Sequence, residues 1–234
     1  MKVLISFALA FGLGTAQAAN YVTLSGANVD FFVDADYFEE SGATVTGNAI
    51  SFAFAPPDYT LSVAGSEPGS HSEVTLFSDR SKLLYVAAHQ GYGLLPRFQA
   101  QAEALYDSTA STGRATGSIN TYAFRSTYRD GQFSSSADAD GFQFLQLSKT
   151  GSAAGALLAF GGYGDGYQLP VTALGLDLNL SAQVVQEGNS STALSLRQLG
   201  YSFTVTAVPE PGAWLMLLAG LGVTGWALRL SRAS

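Results

Sequence analysis

Two histidines are the imidazole bases that this sequence offers for hydrolytic chemistry, and no cysteine is present. Ser70 directly precedes His71, but adjacent side chains of a strand point to opposite faces, so this pair is not a nucleophile with its base. His71 is expected in a Ser/Gly-rich loop, and His89 at the end of a strand before Gly91. A triad also needs an orienting acid, and the sequence contains no Gly-x-Ser-x-Gly elbow. We therefore predict that the protein is not an enzyme.

Carboxylates and tyrosines leave a second chemistry open, which is the binding or cleavage of sugars. The chain holds 18 Asp and Glu residues, so some pair will meet the spacing that glycoside hydrolysis requires by chance alone. Tyr163 and Tyr167 flank Asp165 in a glycine-rich segment and could offer exposed rings for sugar stacking. The competing interpretation is a turn whose tyrosines fold back onto the core.

Two short acidic segments carry oxygen ligands of the kind that bind Ca²⁺. Asp138 and Asp140 lie at alternate positions before a glycine, as at the start of a calcium loop. The twelfth position of that loop, where a bidentate carboxylate is needed, is Leu147. Asp34 and Asp36 form the second segment. Because the ligand set is incomplete, we interpret both as solvated acidic turns and expect no cofactor, with Ca²⁺ as the one candidate metal.

Strand patterns dominate the body of the chain, which we place at residues 19–207. Residues 201–207 alternate apolar and polar side chains, as do residues 174–181, and this is the period of a half-buried strand. Residues 97–106 contain helix formers but also alternate weakly, and within a β-rich chain we favour a strand. The pattern predicts an all-β fold, a single antiparallel β-sandwich with jelly-roll or Greek-key connections. Further strands are expected at residues 29–33, 50–54, 83–88, 119–128 and 142–147, separated by segments rich in Gly, Pro, Ser and Asn.

The charge balance excludes one class of partner. The formal net charge of the chain is −7 at pH 7. Nucleic-acid binding requires clustered cations that replace counterions, so we expect no nucleic-acid partner. A body of this size can bury a sufficient core without disulfides, which is consistent with the absence of cysteine.

The N-terminus has the pattern of a signal peptide. Lys2 is followed by an apolar stretch at residues 3–14, and Ala16 and Ala18 are small residues at the positions that a signal peptidase reads. We predict a signal helix at residues 1–18 that is cleaved after Ala18. The expected partners at this step are the Sec translocase and signal peptidase, and the body is then outside the cytoplasm.

The C-terminus has the pattern of a membrane tail. The 16 residues from 213 to 228 carry no charge. As a helix they would span about 24 Å, somewhat less than a hydrocarbon core of about 30 Å. The arginines that follow stay in the cytoplasm by the positive-inside rule, which leaves the body in the periplasm. The predicted anchor residues are Trp214, Leu215, Leu217, Leu218, Trp226, Leu228, Arg229 and Arg232.

A triplet, Pro209-Glu210-Pro211, lies immediately before this apolar run. Triplet, apolar helix and terminal arginines together resemble a PEP-CTERM sorting domain, at residues 208–234. The resemblance implies a Gram-negative bacterium that makes exopolysaccharide, and an exosortase, a membrane-embedded cysteine protease, that cuts near the triplet. The segments 26–34, 45–52 and 87–92 also look like parts of PEP-CTERM passenger proteins, which implies an exported, β-rich body.

These observations lead to two functional hypotheses. The first is a structural or adhesive protein of the cell surface or extracellular matrix, held in or near exopolysaccharide and sorted through its tail. It would be anchored in the inner membrane with a periplasmic body, and would reach the surface or the medium after processing. The second is a secreted carbohydrate-binding module or glycan-active enzyme.

Overall fold

The computed structural model describes residues 20–38, 42–54, 59–65, 71–166 and 169–208, and four further residues at 216, 218, 219 and 221. Within these residues the chain forms fourteen strands and one short helix. In chain order they are β1 (Tyr21–Ser25), β2 (Val29–Asp34), α1 (Ala35–Phe38), β3 (Gly42–Thr46), β4 (Ala49–Ala53), β5 (Thr60–Ala64), β6 (His71–Ala88), β7 (Tyr92–Ser108), β8 (Arg114–Arg129), β9 (Gln132–Ser135), β10 (Gly141–Thr150), β11 (Ala153–Tyr163), β12 (Asp165–Gly166), β13 (Ala173–Glu187) and β14 (Ser191–Ala207).

The strands form two antiparallel sheets. Sheet A has eight strands in the order β1-β2-β6-β13-β8-β10-β12, with β9 paired to β8. Sheet B has six strands in the order β11-β7-β14-β4-β3, with β5 paired to β14. Chain neighbours such as β7 and β8, or β13 and β14, lie in different sheets, as Greek-key connections require. The predicted all-β, antiparallel fold is confirmed.

The main core lies between the two sheets, because each strand turns its alternate apolar side chains inward. Leu174, Leu176, Leu178 and Leu180 of β13 are all buried in it, as their alternation predicted. Phe203 of β14 is buried there as well, with Tyr201 beside it. Each fully buried Leu or Phe side chain contributes on the order of 1.5–3 kcal/mol, so these ladders hold the sheets together.

The ambiguous segment at residues 97–106 is a strand, as we favoured, and it lies within β7. Phe98, Ala100 and Ala102 point into the core and are buried. The intervening polar residues therefore face outward. One expectation is wrong nearby: Gly161 and Tyr163 belong to β11 and not to a turn, because they pair with Gln101 and Gln99 of β7.

The outer face of sheet A carries a second, aromatic cluster. Phe133 of β9 stacks on Tyr85 with ring centroids 4.0 Å apart, and contacts Phe32 at 4.9 Å and Tyr128 at 4.5 Å. An Asp130-Gly131 turn with positive φ at both residues allows β9 to pair with β8 and brings Phe133 against this cluster. Part of sheet A is thereby covered, which distinguishes it from sheet B.

A buried tyrosine joins two turns at one end of the sandwich. The Tyr106 hydroxyl lies 2.9 Å from the Gly113 carbonyl oxygen and 2.8 Å from that of Gly151. Beside it, the hydroxyls of Ser108 and Thr192 are 2.9 Å apart. These contacts tie the β7–β8 turn to the β10–β11 turn and so fix β11 against β7.

The predicted signal helix lies outside the described residues, and so does most of the predicted tail helix. Of the tail, Met216, Leu218, Ala219 and Leu221 are described, each helical and exposed. Among the residues that the structure describes, no helix combines the length and apolarity of a membrane span.

Candidate functional site

The outer face of sheet B brings polar side chains from five strands into register. The first row across the sheet consists of Tyr163, Gln99, Ser202, Ala49 and Thr46, each paired directly with the next. The second consists of Gly161, Gln101, Gly200, Ser51 and Thr44, and the third of Ala159, Glu103, Gln198, Ala53 and Gly42. We call these three rows the polar face.

Two residues in the middle row of the polar face are glycines, at positions 161 and 200. A Cβ atom on Gly200 would lie 3.3 Å from both Cγ and Nε2 of Gln101, so the glutamine side chain lies across β14 at that point. A Cβ atom on Gly161 would lie 3.1 Å from the carbonyl oxygen of Ala100. A groove of about 210 Å³ lies on the β7, β14, β4 and β3 part of this face, lined mainly by Gln99, Gln101, Gln198 and the hydroxyls of β3, β4 and β14.

The groove is chemically neutral over most of its surface. Three glutamine amides supply both donors and acceptors, and serine and threonine hydroxyls supply the same in a smaller space. On one wall, the Thr44 and Ser51 hydroxyls are hydrogen-bonded at 2.8 Å. Glu103 is the one carboxylate in the three rows. Such a surface favours a ligand that is rich in hydroxyl groups and uncharged.

Tyr163 stands at the β11 border of the polar face. Its side chain is 64% exposed, and the Arg97 guanidinium carbon lies 5.3 Å from the ring centroid. This cation–π contact orients the ring at the border of the amide rows. The interpretation in which Tyr163 folds back onto the core is therefore wrong, and its predicted role in sugar stacking stays a prediction. Tyr167 lies outside the described residues.

The first acidic segment is occupied by contacts within the protein. The Asp140 carboxylate accepts hydrogen bonds from the Arg125 backbone N–H at 2.9 Å and from Arg125 Nη2 at 3.0 Å. Ser136 Oγ donates to the Asp138 carbonyl at 2.8 Å. Leu147, at the position that would need a carboxylate, is buried in β10.

The second acidic segment caps a helix. Asp34 Oδ1 accepts a hydrogen bond from the Asp36 backbone N–H at 3.0 Å, at the start of α1. Within the described ranges, no three His, Asp or Glu residues are grouped as metal ligands. The first acidic segment is thus a loop whose Asp140 bonds to Arg125, and the second is a helix cap formed by Asp34.

The two histidines lie at opposite ends of the same strand, β6. His89 directly follows the end of β6, close to its expected position, and its Nε2 lies 3.1 Å from Asp30 Oδ1, with both side chains about one-third exposed. His71 was expected in a loop, but β6 begins at this residue.

Sequence reasoning missed the polar face, although one of its signals was present. Gln99, Gln101 and Glu103 alternate with apolar residues in the segment whose helix formers obscured the strand pattern. Gln198 and Ser202, in contrast, are separated from them by about a hundred residues in the chain. Only the pairing of β7 with β14 brings them together.

The sorting residues lie outside the described residues, and their assignment depends on similarity. A family model of the PEP-CTERM protein-sorting motif matches residues 207–233. The C-terminus of this chain is a PEP-CTERM sorting motif. The motif includes Pro209, Glu210 and Pro211 and the arginines that follow the apolar run. It marks the protein as exported, sorted at the membrane and processed by an exosortase. Ala16 and Ala18, the predicted signal-peptidase residues, are also outside the described part and stay predictions.

The body resembles solved structures only weakly. A chain of infectious bursal disease virus, Gx strain, is 12% identical over 70% of this chain and 42% of its own, with a TM-score of 0.23. A GH31 alpha-xylosidase from Xanthomonas citri is 10% identical over 80% of this chain and 32% of its own, with a TM-score of 0.12. This chain thus spans less than half the length of either. At these TM-scores neither likeness assigns a fold or a function. No curated protein is significantly similar to this chain.

Proposed function

We propose that this PEP-CTERM protein is a non-enzymatic component of the cell surface or extracellular matrix that adheres to neutral polysaccharide through its polar face. The observation that carries the proposal is the row of Tyr163, Gln99 and Ser202, which places an exposed ring beside an amide and a hydroxyl on one flat surface. In this proposal the C-terminal motif directs sorting of the protein, and the β-sandwich binds the polysaccharide.

A neutral polysaccharide is the ligand class that fits this surface best. Sugar hydroxyls act as donors and acceptors at once, and glutamine amides match both roles in a fixed geometry. The apolar face of a pyranose ring can stack on Tyr163. The chain carries a net charge of −7, which repels an anionic polymer.

The dimensions of the polar face suit an extended chain better than a small molecule. The face crosses five strands from β11 to β3, which at about 4.8 Å per strand spacing corresponds to about 19 Å. The groove on β7, β14, β4 and β3, about 210 Å³, is smaller than an ordinary pocket for a small ligand. A polymer lying across the strands would contact several rows at once.

The distribution of acids supports binding over cleavage. Glycoside hydrolysis generally requires two carboxylates about 5–10 Å apart, whereas Glu103 is alone in the three rows of the face. Two carboxylates outside the polar face, Asp30 and Asp140, form ion pairs with His89 and Arg125. No cofactor is required for adhesion of this kind.

Export would follow from the two ends of the chain. The Sec translocase and signal peptidase would release the body into the periplasm, where the tail anchors it in the inner membrane. Exosortase processing would then pass the body to the surface or the medium. There the polar face would meet exopolysaccharide.

The proposal is tested by binding of the exported protein to exopolysaccharide from its host and to a panel of neutral and acidic glycans. Tyr163→Ala should weaken binding about tenfold, as expected for loss of one stacking contact worth about 1.4 kcal/mol. Gln101→Ala, inside the face, should weaken it as well. Phe144→Ala removes a ring that is 50% exposed on sheet A, compared with 64% for Tyr163, and is the matched control.

Three results would contradict the proposal. Saturable binding to none of the glycans would remove the adhesive role. An equal loss of affinity in Phe144→Ala would show that the polar face is not the site. The appearance of new reducing ends in the incubated glycan would replace adhesion by enzymatic cleavage.

A further inference from the structure

The outermost strand of sheet B, β11, is a long open edge. It has eleven residues, whereas β3 at the other side of the sheet and β1 at the edge of sheet A have five each. Within the described part of the chain β11 pairs with β7 alone. An unpaired edge of this length presents a row of backbone donors and acceptors to solvent, and is a template for pairing with another strand.

One hydrogen bond determines which backbone groups of β11 point outward. The Gly164 N–H donates to the Phe98 carbonyl at 2.7 Å, and this pair continues the register in which Tyr163 faces Gln99. Hydrogen-bonded and non-hydrogen-bonded pairs alternate along an antiparallel ladder. The even-numbered residues of β11 therefore bond to β7. The residues whose N–H and C=O groups point away from the sheet are Leu157, Ala159, Gly161 and Tyr163.

The usual devices that protect an edge strand are missing from most of β11. Natural edges are shielded by charged side chains, proline, short length or bulges. Residues 153–163 contain no charge and no proline, although the whole chain carries a net charge of −7. A bulge is present where Gly155 adopts a φ of +62°, and it leaves residues 156–163 in regular register.

The exposed side chains of this edge are self-complementary. Leu157 is 60% exposed and Tyr163 is 64% exposed, the highest values among the large apolar strand residues whose exposure the structure describes. They are six residues apart on the same face of the strand. If two copies pair antiparallel about a twofold axis at position 160, each Leu157 lies opposite the partner subunit's Tyr163, and Ala159 lies opposite the partner subunit's Gly161.

We propose that β11 is a homodimerisation edge, at which two copies of this chain pair their β11 strands antiparallel in this register. All four outward-pointing residues of each strand then enter hydrogen-bonded pairs, about eight hydrogen bonds in total. The two six-stranded sheets become one, with both polar faces on the same side. Because β11 itself carries no charge, two acidic molecules can approach along this strand without like charges facing each other on it.

Self-pairing of β11 is favoured over its pairing with the other long edge. β10 ends sheet A at the same flank, but β12 already covers its first two residues. Pairing β11 with β10 of a second copy would use only the part of β10 that β12 leaves open, whereas β11 with β11 uses its whole regular register and closes as a dimer. The dimer does not depend on glycan binding, although two joined polar faces would bind a polymer with higher avidity.

The absence of cysteine from the chain allows a direct test in the full-length exported protein. Ala159→Cys places a single thiol on the edge, and in the proposed register the two thiols of a dimer are diagonal neighbours about 7–8 Å apart. A short thiol-to-thiol reagent added to intact cells should therefore yield a covalent dimer. Thr46→Cys places an exposed thiol on β3, at the far side of the same sheet, and should stay monomeric.

A second pair of variants tests the edge itself. In the Ala159→Cys background, Leu157→Lys introduces the charge that protected edges carry, and the cross-linked dimer should be lost. Leu169→Lys makes the same change at a 71% exposed residue outside β11, and the dimer should persist. A purely monomeric Ala159→Cys protein would overturn the proposal, and it is also the result expected if β11 paired with β10 of a second copy. Cross-linking of Thr46→Cys to the same extent would overturn it as well.

Discussion

Removal of one oxygen atom, in Tyr106→Phe, should destabilise the sandwich. The side chain is fully buried, and its hydroxyl is within hydrogen-bonding distance of two carbonyl oxygens, at Gly113 and Gly151. The Gly113 carbonyl also accepts a hydrogen bond from the Gly151 N–H at 2.9 Å, so it keeps a partner in the variant. The group left without this donor is the Gly151 carbonyl.

The magnitude follows from that difference. A hydrogen bond contributes about 0.5–1.5 kcal/mol net, and a buried acceptor that loses its donor costs about 1–3 kcal/mol. Because one of the two carbonyls stays bonded and the ring still fills its site, we expect a loss of about 1–2 kcal/mol. For a domain of this size that lowers Tm by about 2–8 °C.

Thermal unfolding of the exported protein, followed by circular dichroism, measures this effect. Tyr92→Phe is the matched control, because Tyr92 is exposed and the same oxygen is removed without desolvating a partner. Equal Tm values for Tyr106→Phe and the wild type would refute the reasoning. They would mean that the two turns are held by the surrounding backbone contacts and not by the phenol.

Three further outcomes are expected. Gly113→Ala should lower the free energy of unfolding, measured by denaturation, by about 1–3 kcal/mol, because the added Cβ would lie 2.0 Å from Ser108 Oγ. Gly42→Ala is the control and should be neutral, because nothing lies within 4 Å of a Cβ at that position. Burial raises the pKa of the Tyr21 phenol, so above about pH 10 the unfolded chain ionises there while the folded one stays protonated. The free energy of unfolding should then fall as the pH rises, and Tyr21→Phe should flatten this slope; parallel curves for the two proteins would contradict it. Glu210→Ala should leave membrane insertion intact and block release by the exosortase, which fractionation of membrane-bound and released protein measures; equal release from both proteins would exclude the role of Glu210.

Several features of the strands and the tail could be predicted because their signals are local. The alternation of Leu174, Leu176 and Leu178 with small and polar residues specifies a strand with one buried face, whichever strands lie beside it. The sorting motif is likewise a contiguous segment, read in linear order. The segment at residues 97–106 was harder, because alanine and glutamine favour helices when they are not paired in a sheet.

The tertiary structure alone decided which strands are neighbours, and with them the polar face and the open edge. Tyr163, Gln99 and Ser202 form one row because β11, β7 and β14 pair in a particular register. A shift of one residue would turn each side chain to the opposite face. The sequence by itself determined an exported chain with a sorting tail and a body of alternating strands. Strand order and register depend on packing between residues far apart in the chain, so the surface available to a ligand or a second copy emerged only from the fold.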